Sequence, residues 1–324
     1  AMLFFHRMQP DFGTGRVARL ETVFLRDPDR KVPFRIANEA TDSRYLTGAD
    51  FDPESIQAHG DEIWIGDEFG PFVLRVARDG RVLSVHQTML DGTPLAGPDT
   101  PGTVVPAQPG VDFQAQRSGG YEGMALQPGT GLLWAMLEKP LLGADGQPEG
   151  RFLRVMTFDT AAGDWTGDSF RFRLSDGATA IGDFNFIDET RALVIERDNG
   201  EGNAALACAE GAADQGACYP QPARVKNVVL VDTANRDDEG FIRRIGHVDL
   251  LDIADPDGKA PEGMATDGRF TFPFFTIENV ARVDDTHILV ANDNNLPFSG
   301  GREIGKAADS EFILLSVPEL LAAR

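Results

Sequence analysis

Four segments of this chain carry an acid four positions after an apolar residue: DEIWIGDEFG (61–70), GLLWAMLEKP (131–140), RALVIERDNG (191–200) and THILVANDNN (286–295). The pairs are Trp64 and Glu68, Trp134 and Glu138, Val194 and Asp198, and Leu289 and Asp293. A second mark precedes these acids by 14 to 16 residues, at Glu54, Glu122, Phe184 and Glu278, and Asn185 is the natural polar member of the third segment. Carboxylates gathered at one place raise one another's pKa and call for a counter-ion. Hard oxygen donors suit calcium, with magnesium as the alternative, better than zinc. Glu54, Glu122, Asn185 and Glu278 are therefore the candidate metal ligands, and Glu262 of PEGMA joins them because it repeats YEGMA at Glu122. Single acids at strand ends are commonly solvated or cap backbone N–H groups; recurrence in register is what sets these apart.

A metal ion that lowers the pKa of bound water or polarises an ester oxygen would work with a carboxylate base. Glu68, Glu138 and Asp293 are the candidates for that catalytic role. The segment VANDNNLPFSGGREIGKAADSEF (290–312) adds Asn294, Asn295 and Arg302 as candidate substrate contacts, and Lys139 and Arg197 are further cations beside the repeated acids. Each of these cations also has acidic neighbours with which to form salt bridges. No GxSxG elbow, P-loop, HExxH or CxxCH motif occurs, which disfavours an ordinary Ser-His-Asp hydrolase.

The elements that must position these residues are strands. Apolar runs are short, alternating and rich in Val, Ile, Phe and Trp, and Gly, Pro or Asp clusters interrupt them, as in EIWIGDEFGPFVLRVARDGRVLSV (62–85). Helical periodicity is confined to VPELLAAR at the end of the chain. A strand, a tight turn and a returning strand bring both marks of each repeat to one rim. The pattern predicts an all-β chain folded as a single β-propeller domain over 1–324, with five or six blades; a β-sandwich is the alternative. Insertions are expected at 90–120 and 199–224. The N-terminal part and residues 236–275 are expected to supply the blades beyond the four visible repeats, and VARLETVFL to close the ring against the last blade.

Composition bounds the partners. With 30 Lys plus Arg against 51 Asp plus Glu, the 324 residues carry a formal charge of −21, which repels phosphate backbones and argues against nucleic-acid binding. No apolar run approaches the roughly 18 residues of a spanning helix. A small-molecule substrate and a monomeric state are the expectations. Cys208 and Cys218 are the sole cysteines. In a short loop of Ala, Gly and acids they are read as a disulfide, which implies an oxidising compartment, periplasmic or extracellular. Five scattered histidines offer no zinc site.

The motifs LTGADFDPESI (46–56), IGDEFGPFVLRV (65–76), YEGMAL with LEKPL (121–141), IERDN (195–199) and IENVARVDDTHILVANDNNLPFSGGR (277–302) together resemble the phytase-like family, described as having esterase-like activity. The resemblance covers nearly the whole chain and implies an exported β-propeller. Members usually begin with one more strand pair, so it also implies a first blade incomplete at the N-terminus. The hairpin EGMALQPGTGLLWAML is similar to the metal-binding Glu strand of gluconolactonase and paraoxonase-type propellers, which implies a ligand role for Glu122. The expected function is a calcium-dependent hydrolase of a phosphate ester or related ester. The alternatives are a non-catalytic binding module with structural calcium, and a lactonase or arylesterase.

Overall fold

The computed structural model describes residues 1–102, 113–211, 215–261 and 264–324. They divide into two compact units, Ala1–Arg173 with Asp238–Phe241, and Leu174–Asp237 with Ile242–Arg324.

The first unit opens with a hairpin, β1 (Phe4–Asp11) and β2 (Arg16–Phe24), in register from Phe4↔Phe24 to Asp11↔Arg16. An up-and-down sheet follows, β3 (Pro53–His59), β4 (Glu62–Asp67), β5 (Phe72–Ala77) and β6 (Val82–Gln87). A two-residue ladder, β7 (Met89–Leu90) and β8 (Thr93–Pro94), leads to a second such sheet. That sheet is β9 (Tyr121–Leu126), β10 (Leu132–Leu137), β11 (Phe152–Asp159) and β12 (Asp164–Arg173).

The period of two explains how β4 serves two cores. Trp64 faces the second sheet and packs with Tyr121, Met124, Leu133 and Phe158. Its neighbours Ile63 and Ile65 point the other way, into a cluster with Leu25, Ile36, Leu46 and Phe51. Alternate side chains leave opposite faces of a strand, so a run that is apolar at every position is buried on both sides.

The second unit repeats the plan. Its first sheet is β13 (Ala180–Phe186), β14 (Arg191–Arg197), β15 (Lys226–Arg236) and β16 (Ile242–Asp249). Two-residue strands β17 (Ile253–Ala254), β18 (Ala265–Thr266) and β19 (Arg269–Phe270) form a small patch. The last sheet is β20 (Thr276–Arg282), β21 (His287–Asp293) and β22 (Phe312–Ser316), after which helix α1 (Pro318–Ala322) buries Leu320 and Leu321. These strands and the helix share one core that includes Leu193, Leu230, Phe272, Ile277 and Val290.

The fold is an all-β propeller, and the expectation of five or six blades is corrected to four among the described residues, two in each unit. The residues expected to add blades do other things. The N-terminal segment makes a two-stranded hairpin, in which VARLETVFL pairs with β1. Residues 236–275 complete the third blade as β16 and then form strands too short to be a blade. The alternative of a sandwich is also overturned: each of the four sheets runs in sequence order without the crossing connections of a Greek key.

Candidate carboxylate site

The first strand of every blade carries a β-bulge at the same place. The register slips at Glu54 in β3, at Glu122 in β9, at Gly182 in β13 and at Glu278 in β20. A bulge sets two residues against one and re-aims a side chain at a strand end. On the second strand, the residue just beyond the bulge is Glu68, Glu138, Arg197 or Asp293 in turn. The third repeat is thus displaced by one from the sequence alignment: Leu193 and Arg197, rather than Val194 and Asp198, occupy the repeated positions.

In the first unit the bulges gather acids. Glu68, Glu122 and Glu138 bring one carboxylate oxygen each to within 4.8 Å of one another, and Asp52, Glu54 and Glu68 do the same. Glu122 and Glu138 are each 4% exposed, and Glu68, shared by the two groups, is half-buried. Backbone contact sets these positions. The amide N of Glu138 donates to the carbonyl of Gly120 at 2.8 Å, and that of Glu68 to the carbonyl of Asp52 at 2.9 Å. Gly120 lies so close to Glu68 that a Cβ there would stand 2.3 Å from the Glu68 carbonyl oxygen.

The electrostatics follow from burial. Glu68 is pushed up to about 8, first by burial and then by the Glu138 and Asp52 carboxylates, with Lys139 opposing. Asp67, fully buried, is raised to about 7 by burial, although its carboxylate accepts N–H bonds from Asp52 (2.8 Å) and Gly70 (2.6 Å). Asp52 is raised by burial, against a hydrogen bond with Glu54, and further by Asp99. Lys139 Nζ lies 2.9 Å from Glu138 Oε2 and donates to the carbonyls of Ser118 and Arg117. Asp99 in turn accepts from Ser118 N at 2.9 Å and pairs with Arg117. The described parts of the 90–120 insertion therefore hold Lys139 in place beside Glu138.

In the second unit Glu278 sits half-buried at the bulge of β20. The equivalent residue in β13 is Gly182, where a Cβ would stand 1.9 Å from the Ile277 carbonyl oxygen; no carboxylate side chain fits there. Asn185 lies three residues further on, paired with Leu193, and its amide donates to Asp183 Oδ2 (2.8 Å) and to the carbonyl of Val280 (3.0 Å). Asp183 is raised to about 7 by burial, against hydrogen bonds from Val280, Phe184 and Asn185. Asp198 binds the fully buried Lys226, whose Nζ lies 3.1 Å from Asp198 Oδ1 and donates to the carbonyls of Asp198 (2.7 Å) and Phe275 (2.9 Å).

Arg302 is engaged within the fold. Its guanidinium forms a two-pronged pair with Glu311 at 3.0 and 2.6 Å, donates to Thr271 O at 2.8 Å and stacks on Phe270 and Phe274. Arg197 is buried, donates to Asn199 Oδ1 at 3.1 Å and lies over Phe275. Asp293 ends β21; Asn294 accepts from Leu296 N at 3.2 Å, and Asn295 donates to Thr276 Oγ1. Glu262 lies outside the described residues. Cys208 and Cys218 form the expected disulfide. Asp52 and Asp67 belong to the carboxylate network although the spacing argument passed over them; the signal available was their adjacency to Glu54 and Glu68 in DFDPES and GDEFG.

Bulged meanders of three or four strands with carboxylates at a common strand end define a β-propeller with an acidic cluster. The family model "Phytase-like: Esterase-like activity of phytase" matches residues 1–296, and the chain belongs to that family. No curated protein matches the chain. Among solved structures it is similar to Sqt1 of Saccharomyces cerevisiae, at 10% identity over 97% of this chain and 66% of that one, with a TM-score of 0.35. It is also similar to a candidate 6-phosphogluconolactonase of Bacteroides fragilis NCTC 9343, at 12% identity over 95% of this chain and 80% of that one, with a TM-score of 0.30. Likenesses this distant carry no argument about fold or activity.

Proposed function

We propose that this protein is an exported, divalent-cation-dependent ester hydrolase, with calcium as the cation and a carboxylic ester as the substrate. The observation that carries the reading is the convergence of Glu68, Glu122 and Glu138 in the first unit, with oxygens within 4.8 Å. Three carboxyl groups so close need a proton or a cation among them, and a set of oxygen donors fits calcium. Glu54 and Glu122, the two bulge residues, whose carboxylate oxygens lie within 4.8 Å of each other, would hold the ion. When bound, the ion would polarise the ester oxygen as a Lewis acid.

The chain's own groups divide the remaining work. Hydrolysis adds water to the acyl carbon and breaks the carbon–oxygen bond to the alcohol, so one proton leaves the water and one joins the leaving oxygen. Glu68, whose carboxyl is pushed up to about 8 by burial and by the Glu138 and Asp52 carboxylates, is the donor to the leaving alkoxide. Glu138, oriented by Lys139, is the carboxylate that takes the proton of the attacking water.

A carboxylic ester is favoured over a phosphate ester because cations that would meet a phosphate are engaged elsewhere: Lys139 with Glu138 and two carbonyls, Arg302 with Glu311. The disulfide supports export. Glu122→Gln tests the assignment. Loss of calcium affinity and of ester turnover with an unchanged circular dichroism spectrum supports it, and full turnover removes Glu122 from the site.

A further inference from the structure

In the first unit, a pocket of about 140 Å³ opens between the base of the β1–β2 hairpin and strand β3. Leu25 and Ile65 line it and are 1% and 2% exposed. Phe4 and Ile56, each 49% exposed, also line it, with Phe5 and Pro53 completing the apolar walls. Glu54 is the titratable residue in its lining, and Glu54 is also the bulge residue whose carboxylate meets those of Asp52 and Glu68. An apolar recess and a cation-competent carboxylate group thus share one residue.

We infer that this pocket receives the apolar acyl group of the substrate, so that the preferred esters are uncharged and carry a hydrophobic acyl group of about six carbons. The inference rests on the ester-hydrolase reading. Three features fix the chemical class. Apart from Glu54 and Ser55 the walls are aliphatic and aromatic, so what enters is mainly hydrocarbon. An apolar cavity of about 150 Å³ holds a benzene-sized group, which bounds the length. A chain of charge −21 repels an anionic substituent, so fatty acids with a free carboxylate are disfavoured. A hydrocarbon group seated against Ile56 and Ile65 leaves the adjoining ester carbon beside Glu54, where the acids cluster. The exposed phenyl ring of Phe4 and the Ile56 side chain are then surfaces that substrate covers.

The test uses 4-nitrophenyl esters of acetic, butyric, hexanoic and decanoic acids with the full chain and calcium. Each methylene that enters the pocket is expected to raise kcat/KM about fourfold, up to hexanoate, with no gain beyond. Ile56→Trp, a substitution at a half-exposed strand position, is expected to fill the mouth and flatten the series, lowering hexanoate turnover about tenfold or more. Turnover that ignores chain length, or a series unchanged by Ile56→Trp, overturns the inference. A second measurement separates this failure from failure of the hydrolase reading: binding of benzyl alcohol, followed by methyl NMR shifts of Ile56 and Ile65. Saturable Ile65 shifts that Ile56→Trp abolishes uphold the pocket even if no ester is hydrolysed; absence of binding overturns it whatever the turnover.

Discussion

Gly120→Ala is the substitution through which the geometry of the acidic cluster can be read most closely. A Cβ on residue 120 would lie 2.3 Å from the Glu68 carbonyl oxygen and 2.6 Å from both the carbonyl carbon and Cα of Glu68. All three are backbone atoms, so no rotamer change relieves the contact. Carbon atoms settle at about 3.5 Å or more, so the strand that leads into Glu122 must retreat from Glu68 by about 1 Å. Overpacking of this kind costs about 1–3 kcal/mol. A displacement of about 1 Å at a reacting centre can cost about 10²-fold in rate, and Glu138 would shift as well, because its amide is bonded to the Gly120 carbonyl. Gly48→Ala is the control, since nothing lies within 4 Å of a Cβ there; it should stay within about 0.5 kcal/mol of the parent. Urea denaturation gives the first quantity and ester turnover the second. If Gly120→Ala matches Gly48→Ala in both, close backbone approach does not set the cluster.

Other consequences are independent of the proposed activity. Arg44, 3% exposed at its side chain, pairs with the fully buried Asp27 at 3.0 Å and with Glu39 at 2.7 Å; Arg44→Met should cost about 3–5 kcal/mol in urea denaturation by leaving Asp27 without its cation. A much smaller loss would show that the Lys31 and Val32 amides, which also donate to Asp27, suffice. Burial pulls Lys226 down to about 8 from its ordinary 10.5, against the pull of Asp198. Its ionised form is therefore disfavoured by folding, and its contribution to stability is present above pH 10.5 and lost as pH falls through 8. Stability should rise by about 3 kcal/mol from this group between pH 8 and 10.5, and the difference between wild type and Lys226→Met should carry that slope; a pH-independent difference refutes the assignment.

The sequence made strands, turns, the disulfide and the acids legible because each has a local signal: alternation, Gly and Pro punctuation, cysteine spacing, charge. The bulges were not legible, because an extra residue leaves the alternation on either side intact. The spacing therefore aligns Asp198 where Arg197 stands and offers Asn185 for a place that Gly182 fills. Gly182 itself has a tertiary cause, the Ile277 carbonyl 1.9 Å from its would-be Cβ. The blade count exceeded the observed four because strand-like composition in residues 1–45 and 236–275 cannot distinguish a blade from a hairpin or an extended edge. Arg302 read as a substrate contact since its aromatic supports, Phe270 and Phe274, come from outside its own loop.

The central claim is that the buried acids of the first unit bind calcium and that ester turnover depends on it. Calorimetric titration of calcium into chelator-treated protein, with carboxylic ester turnover measured on the same samples, tests it most directly. The account predicts saturable binding that Glu122→Gln weakens, and turnover that appears with calcium and is lost on chelation. Absence of binding, or turnover indifferent to the ion, would contradict it.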